Sequence, residues 1–377
     1  MTGSARVEPA RSARYELLDP LRGLAILAVM LLHFCERGRH SGDSVIHGTL
    51  WPVIQHGYLG VQLFFVISGY CITAAVYSAM KRSHSFRYFM TRRLRRIFPP
   101  YWASMLLVIV LGLATIAVLK TPTETVFPLS PFDWLCNVFL VQGPLHAKDA
   151  NLVYWSLSIE IQFYLVMSLS LLWSGKLVEV WLFAVSAAFL AVDHLTTWPL
   201  WGTVIVYWSE FLCGIIVYYW LTGRMAWRWT PAVLLGFVVL DIALQAPQYQ
   251  VMMQPNGRVI QPVKLIFCLG CMLAMLGLRR YDDAICARRS VKLLAWFGLI
   301  SYSLYLCHVP VGTRVFNLAD RVTGLGGLKW LPCAIAAMVV STAFGWVFFR
   351  VFEKPWLNPS ASTASAPAKT LQERIAT

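Results

Sequence analysis

The chain has 377 residues, of which 58% are hydrophobic, 14% aromatic and only 13% charged, with a formal net charge of +14. A soluble domain of this length has too little interior to hide that much apolar surface, so the composition excludes an ordinary water-soluble enzyme and points to a polytopic membrane protein. The positive balance does not imply nucleic acid, because the basic residues concentrate in alternate loops and the aromatic residues flank apolar runs instead of forming stacking stripes.

The apolar residues fall into an all-α pattern of ten expected spans: 17–35, 58–78, 98–119, 153–173, 177–192, 203–221, 231–246, 260–278, 292–312 and 330–352. Each approaches the ~20 residues that a ~30 Å hydrocarbon core requires. With the N-terminus inside, the inner segments hold 21 Lys plus Arg and the outer ones 8. That asymmetry places both termini in the cytoplasm. Residues 1–16 read as a cytoplasmic segment, 17–356 as one transmembrane domain and 357–377 as a disordered Ser/Ala/Pro-rich tail. A polar stretch precedes the first run and no small-residue cleavage site follows it, so no secretory leader is expected. Most of the nine cysteines lie within spans, so no disulfide framework is expected; Cys268 and Cys271 read as small packing residues.

The first span, DPLRGLAILAVMLLHF (19–34), carries Arg22 and His33 eleven residues apart. Eleven residues are about three helical turns, so the two share a face and are separated by ~16 Å along the axis. They either snorkel to opposite headgroup layers or face a polar interior. Histidine is the more informative, because its short side chain snorkels poorly and it exchanges protons near neutrality.

In the second span, GVQLFFVISGY (60–70) places Ser68 and Gly69 where small residues permit close helix packing. TRRLRRIFPPYW (91–102) puts four arginines just before the third span, with Arg93 and Arg96 at i and i+3. They serve either as a topology anchor or as guanidinium forks for the phosphates of a cytosolic cofactor. YWSLSIEIQFYL (154–165) sets Ser156, Glu160 and Tyr164 on one stripe. A carboxylate at Glu160 is expensive in lipid unless it is paired, for instance with an interior arginine such as Arg22, or serves a site. SYSLYLCHVP (301–310) adds Tyr302, Tyr305 and His308; Glu353 and Lys354 read as at most an interfacial pair. His40, His47 and His56 are too loosely spaced to define a zinc site, and no metal is expected. There is no phosphate-binding GxxxxGK[ST] loop and no GxSxG nucleophile elbow.

Taken in order, LRGLAILAVMLLHF, GVQLFFVISGY, the RxxR of RRLRRIFPPYW, WSLSIEIQFYL, ISYSLYLCHVP and FEKPW resemble the acyltransferase 3 family of integral membrane O-acyltransferases, over residues 19–356. The resemblance implies transfer of an acyl group, usually acetyl, from cytosolic acyl-CoA to a hydroxyl of an extracytoplasmic or envelope glycan such as O-antigen or exopolysaccharide. It implies a multi-pass protein of a bacterial inner membrane, of the stand-alone type without an SGNH domain, with acyl-CoA, a sugar-bearing acceptor and membrane lipids as partners. Nothing in the sequence sets an oligomeric state. On this reading His33 is the general base and Glu160 orients it, Arg22, Arg93 and Arg96 bind acyl-CoA, and Ser68, Ser156, Tyr164, Tyr305 and His308 contact substrate. Within the family a macrolide or other small-molecule sugar is the alternative acceptor. A proton-coupled secondary transporter is the alternative of another class, disfavoured by the lack of an internal repeat.

Overall fold

A computed structural model describes residues 15–38, 50–81, 86–127, 129–172, 177–249, 261–323 and 330–357. Among them every regular element is helical. In chain order these are α1 (Leu18–Gly38), α2 (Trp51–Ile54), α3 (Leu59–Lys81), α4 (Phe86–Leu119), α5 (Thr123–Val126), α6 (Pro131–Val138), α7 (Tyr154–Leu169), α8 (Leu177–Leu195), α9 (Val204–Thr222), α10 (Thr230–Tyr249), α11 (Gln261–Leu278), α12 (Asp282–Cys286), α13 (Arg289–Leu299), α14 (Ser301–Thr323) and α15 (Trp330–Phe348). His40, His47 and nearly all of the expected terminal segments lie outside the described residues.

Among the described residues seven helical segments are long and apolar enough to cross a membrane: 18–36, 51–81, 86–119, 154–172, 177–195, 204–222 and 331–356. The expected span at 292–312 is corrected. It is two helices, α13 and α14, bent by 71° at their junction, and counting them as one crossing gives eight. The expected spans at 231–246 and 260–278 are helical, as α10 and α11, but are not among these seven segments. All nine cysteines are free, as their positions within apolar helices suggested.

Helices α3 and α9 are the most buried of the candidate spans. Two crossings are close because glycine supplies no side chain. A Cβ on Gly298 would sit 1.8 Å from the Asp19 carbonyl oxygen, and one on Gly23 would sit 1.9 Å from that of Leu294, so α1 and α13 touch backbone to backbone. Gly69 of α3 and Gly214 of α9 do the same, with would-be contacts of 2.1 Å to the Phe211 oxygen and 1.8 Å to the Val66 oxygen. Without a hydrophobic force between helices in lipid, such close approach supplies the dispersion contacts that hold them.

The start of α1 is fixed separately. Both carboxylate oxygens of Asp282 accept backbone N–H bonds, from Glu16 and Leu17 at 2.9 Å each, where the helix leaves unsatisfied donors and a positive dipole end. Tyr15 is buried and donates to the Met275 carbonyl at 2.8 Å, so residues 15–16 belong to the bundle, not to a separate N-terminal segment.

Candidate active site

The polar residues that the sequence scatters along six stretches converge on one cavity of about 350 Å³. Arg22 of α1, Ser68 and Cys71 of α3, Arg93 and Arg96 of α4, Ser156, Glu160 and Tyr164 of α7, Tyr302 and Tyr305 of α14, and Glu353 just beyond α15 all line it. Eight of the ten expected site residues are in this wall; His33 and His308 are the two that are not.

The arginines occupy one end. Helix α4 continues unbroken from Phe86 through Pro99 and Pro100, so the basic run is helical and its i, i+3 spacing sorts the four side chains. Arg93 and Arg96 line the cavity, with Arg93 also over the Tyr164 ring at 5.9 Å. Arg92 and Arg95 turn elsewhere, onto the Tyr88 ring at 5.3 Å and the Trp356 ring at 5.5 Å. Arg22 is held by Asp19 at 3.1 Å and by the Cys71 sulfur at 3.3 Å. Among the described residues these three guanidiniums share the cavity with two carboxylates, Glu160 and Glu353.

Glu160 sits midway. Its Oε1 accepts from Ser68 Oγ at 2.9 Å and from Tyr164 Oη at 2.5 Å. The expected pairing of Glu160 with His33 is therefore replaced by two hydroxyl donors, and Arg22 turns to Asp19 instead of balancing it. Glu353 was read as half of an interfacial pair with Lys354. It is instead 2% exposed, and its Oε2 accepts from the Ser303 hydroxyl at 2.5 Å and the Ser303 N–H at 3.2 Å. The sequence carried one signal for this, a carboxylate within an apolar stretch at the end of a span, the same signal that singled out Glu160.

At the far end Tyr305 forms the wall. Its hydroxyl lies 2.7 Å from Ser156 Oγ, and its ring is 5.9 Å from that of His308. His308 in turn places Nε2 2.9 Å from His33 Nδ1. Helix α14 is adapted to this position. Pro310 has no N–H for the Leu306 carbonyl four residues back, and Asn151 Nδ2 donates to that oxygen at 3.2 Å.

Outside the cavity a second polar cluster, missed in the sequence, joins α8, α9 and α10. Asp241 accepts from Ser209 Oγ at 2.5 Å and Gln245 Nε2 at 2.7 Å, and lies 3.0 Å from His194 Nε2. With Asp193 these residues bring three ligand atoms within 4.8 Å of one another, a donor set that can hold a divalent cation.

Guanidiniums at one end of the cavity, a hydrogen-bonded carboxylate in the middle and a histidine pair beyond the other define the class of protein: a polytopic helical bundle with a polar interior. The comparisons make it particular. Residues 15–350 match the acyltransferase domain of the acyltransferase 3 family, and the chain belongs to that family. The O-acetyltransferase OatA of Staphylococcus aureus (strain NCTC 8325 / PS 47) is 29% identical over 178 residues, which are 44% of this chain and 26% of that protein. A protein of S. aureus strain COL provisionally named an O-acetyltransferase is 30% identical over 161 residues, 39% of this chain and 23% of its own length. The match thus covers about a quarter of each of these relatives. No solved structure matches.

Proposed function

We propose that the protein is an integral membrane O-acetyltransferase that moves an acetyl group from acetyl-CoA to a sugar hydroxyl of an extracytoplasmic or envelope glycan. The single observation that carries this reading is the polarity of the cavity: Arg22, Arg93 and Arg96 line one end, and Tyr305 at the other leads to His33 and His308. Guanidinium forks suit the phosphates of CoA, and imidazole suits proton transfer from a hydroxyl. Arg22 and His33 are ~16 Å apart along α1, a span that an extended pantetheine arm largely bridges.

The loop-charge asymmetry supports an arginine end on the cytosolic side of a bacterial inner membrane, where acyl-CoA is found, with both termini on that side. The chemistry then follows. His33 takes the acceptor hydroxyl proton as that oxygen bonds to the thioester carbonyl carbon. The C–S bond breaks, the ester forms, and CoA leaves as a thiolate that takes up a proton. Glu160 holds the Ser68 and Tyr164 hydroxyls in fixed orientation along the acyl path, leaving their lone pairs to meet the substrate.

The test uses membrane vesicles containing the full chain, supplied with radiolabelled acetyl-CoA, with acetylated envelope glycan read by mass spectrometry. The expected result is label in glycan for the native protein and none for His33→Ala at equal membrane abundance. Undiminished transfer by His33→Ala overturns the base assignment, and an absence of acetyl-CoA consumption by the native protein overturns the activity.

A further inference from the structure

We infer that His308 is not a substrate contact but a positioning residue that sets the tautomer of His33, so that Nε2 of His33 carries the lone pair that acts as the base. The inference rests on the reading of His33 as the base and adds which nitrogen acts and what makes it available.

His308 sets the direction of the pair. Its Nδ1 lies 2.9 Å from the Tyr305 carbonyl oxygen and 3.0 Å from that of Leu304. Carbonyl oxygens only accept, so Nδ1 must carry the hydrogen; a bare nitrogen would face two lone pairs. In a neutral imidazole the other nitrogen is then an acceptor. That nitrogen, His308 Nε2, is the one 2.9 Å from His33 Nδ1. His33 Nδ1 therefore donates, and its own Nε2 is left unprotonated.

The ring geometry supports a directed bond. The two rings are 17° from parallel with centroids 5.1 Å apart. A nitrogen–nitrogen separation of 2.9 Å is shorter than the ~3.5 Å at which stacked rings touch, so the contact runs edge to edge along the in-plane N–H direction. His308 is itself fixed: it is fully buried, its ring packs against Phe34 and Tyr305, and both carbonyls it uses belong to its own helix. The relay is thus backbone carbonyl to His308 to His33, with the orienting acceptor a second imidazole in place of a carboxylate. Nothing in it requires a conformational change before the acceptor arrives.

The experiment is solid-state NMR on the full chain in bilayers with ¹⁵N-labelled histidine, in which protonated and bare ring nitrogens have well-separated shifts; spectra of His33→Ala and His308→Leu assign the two rings. The expected result is His33 with hydrogen on Nδ1 and bare Nε2, and His308 with hydrogen on Nδ1. An Nε2-protonated His33, or an imidazolium, in a protein that still transfers acetyl overturns this inference and leaves the base reading standing. Conversely, undiminished transfer by His33→Ala sinks the base reading whatever the tautomer. Kinetics give a second readout. Leucine at 308 cannot accept from His33, whereas glutamine can through Oε1, so His308→Leu should lower kcat about 100-fold or more with KM for acetyl-CoA within about two-fold. His308→Gln should recover most of that loss. Equal kcat for His308→Leu and the native protein, or no recovery by His308→Gln, overturns the inference.

Discussion

Tyr305 and Ser156 face each other across α14 and α7, 2.7 Å apart, and both are buried. The two hydroxyls are not equivalent. Ser156 Oγ also lies 3.2 Å from the Val153 carbonyl, so it retains an acceptor when Tyr305 is lost, whereas the Tyr305 hydroxyl has Ser156 as its hydrogen-bond partner. Leaving a buried hydroxyl unpaired costs about 1–3 kcal/mol, while removing the group with its bond costs about 0.5–1.5. Ser156→Ala should therefore lower the thermal midpoint in detergent more than Tyr305→Phe does. The reverse order would mean that cavity water takes the place of Ser156.

The four arginines of α4 allow a test in which total charge is constant. Arg93→Ala with Arg96→Ala and Arg92→Ala with Arg95→Ala remove the same two charges from the same helix, but only the first pair lines the cavity. Charged hydrogen bonds contribute about 1.5–3 kcal/mol each, so the first double variant should weaken acetyl-CoA binding by about 100-fold or more. The second should stay within about two-fold of the native protein. Calorimetric titration with acetyl-CoA checks both, and equal losses would reduce the basic run to a topology anchor.

Much of this site was legible because ionisable residues in lipid-length apolar runs are costly and therefore informative. Arg22 and Glu160 were found that way, Arg93 and Arg96 from a basic run just before a span, and the structure gathers all four in one cavity. What the sequence could not show was who pairs with whom. His33 and His308 are 275 residues apart, and no local pattern distinguishes a histidine from a carboxylate as the orienting partner. Periodicity also passes over a break inside a continuous apolar run. The 71° bend between α13 and α14 falls in WFGLISYS, where Gly298 is the main cue. Glu353 was undervalued because it stands next to Lys354, which suggested a surface pair. Asp241 was passed over in a span read for its hydropathy alone.

Two aspartates in the segment between α4 and α7 titrate in opposite senses. Asp133 is held below its ordinary value by the Lys148 N–H, then by the N–H and hydroxyl of Ser130. Its contribution to stability is present above the unfolded value of ~3.9 and is lost as pH falls through the lower folded value. Asp149 is raised to about 6, mainly by desolvation, with the Gln142 amide opposing. The folded chain then binds more protons than the unfolded one between ~3.9 and about 6, so its contribution is full below that window and declines as pH rises through it. The thermal midpoint of the native protein should carry a downward step between pH 4 and 6.5 that Asp149→Asn lacks. Identical profiles for the two proteins would refute the assignment.

The contact between α1 and α13 sets where Arg22 stands, because Gly23 and Gly298 let the two backbones meet one residue from it. A methyl group at 298 would be 1.8 Å from the Asp19 oxygen and 2.6 Å from its carbonyl carbon, and neither can move without moving α1. Overpacking of this kind costs about 1–3 kcal/mol when side chains give way, and here the obstacle is backbone. Gly277 near the end of α11 is the matched control, since nothing lies within 4 Å of its would-be Cβ. There alanine should be neutral or slightly stabilising, because it removes glycine's conformational freedom from a helix. Gly298→Ala should lower the thermal midpoint by several degrees and also raise KM for acetyl-CoA, as α1 carries the displacement to Arg22. A fall in stability with KM unchanged would separate this crossing from the donor end of the cavity.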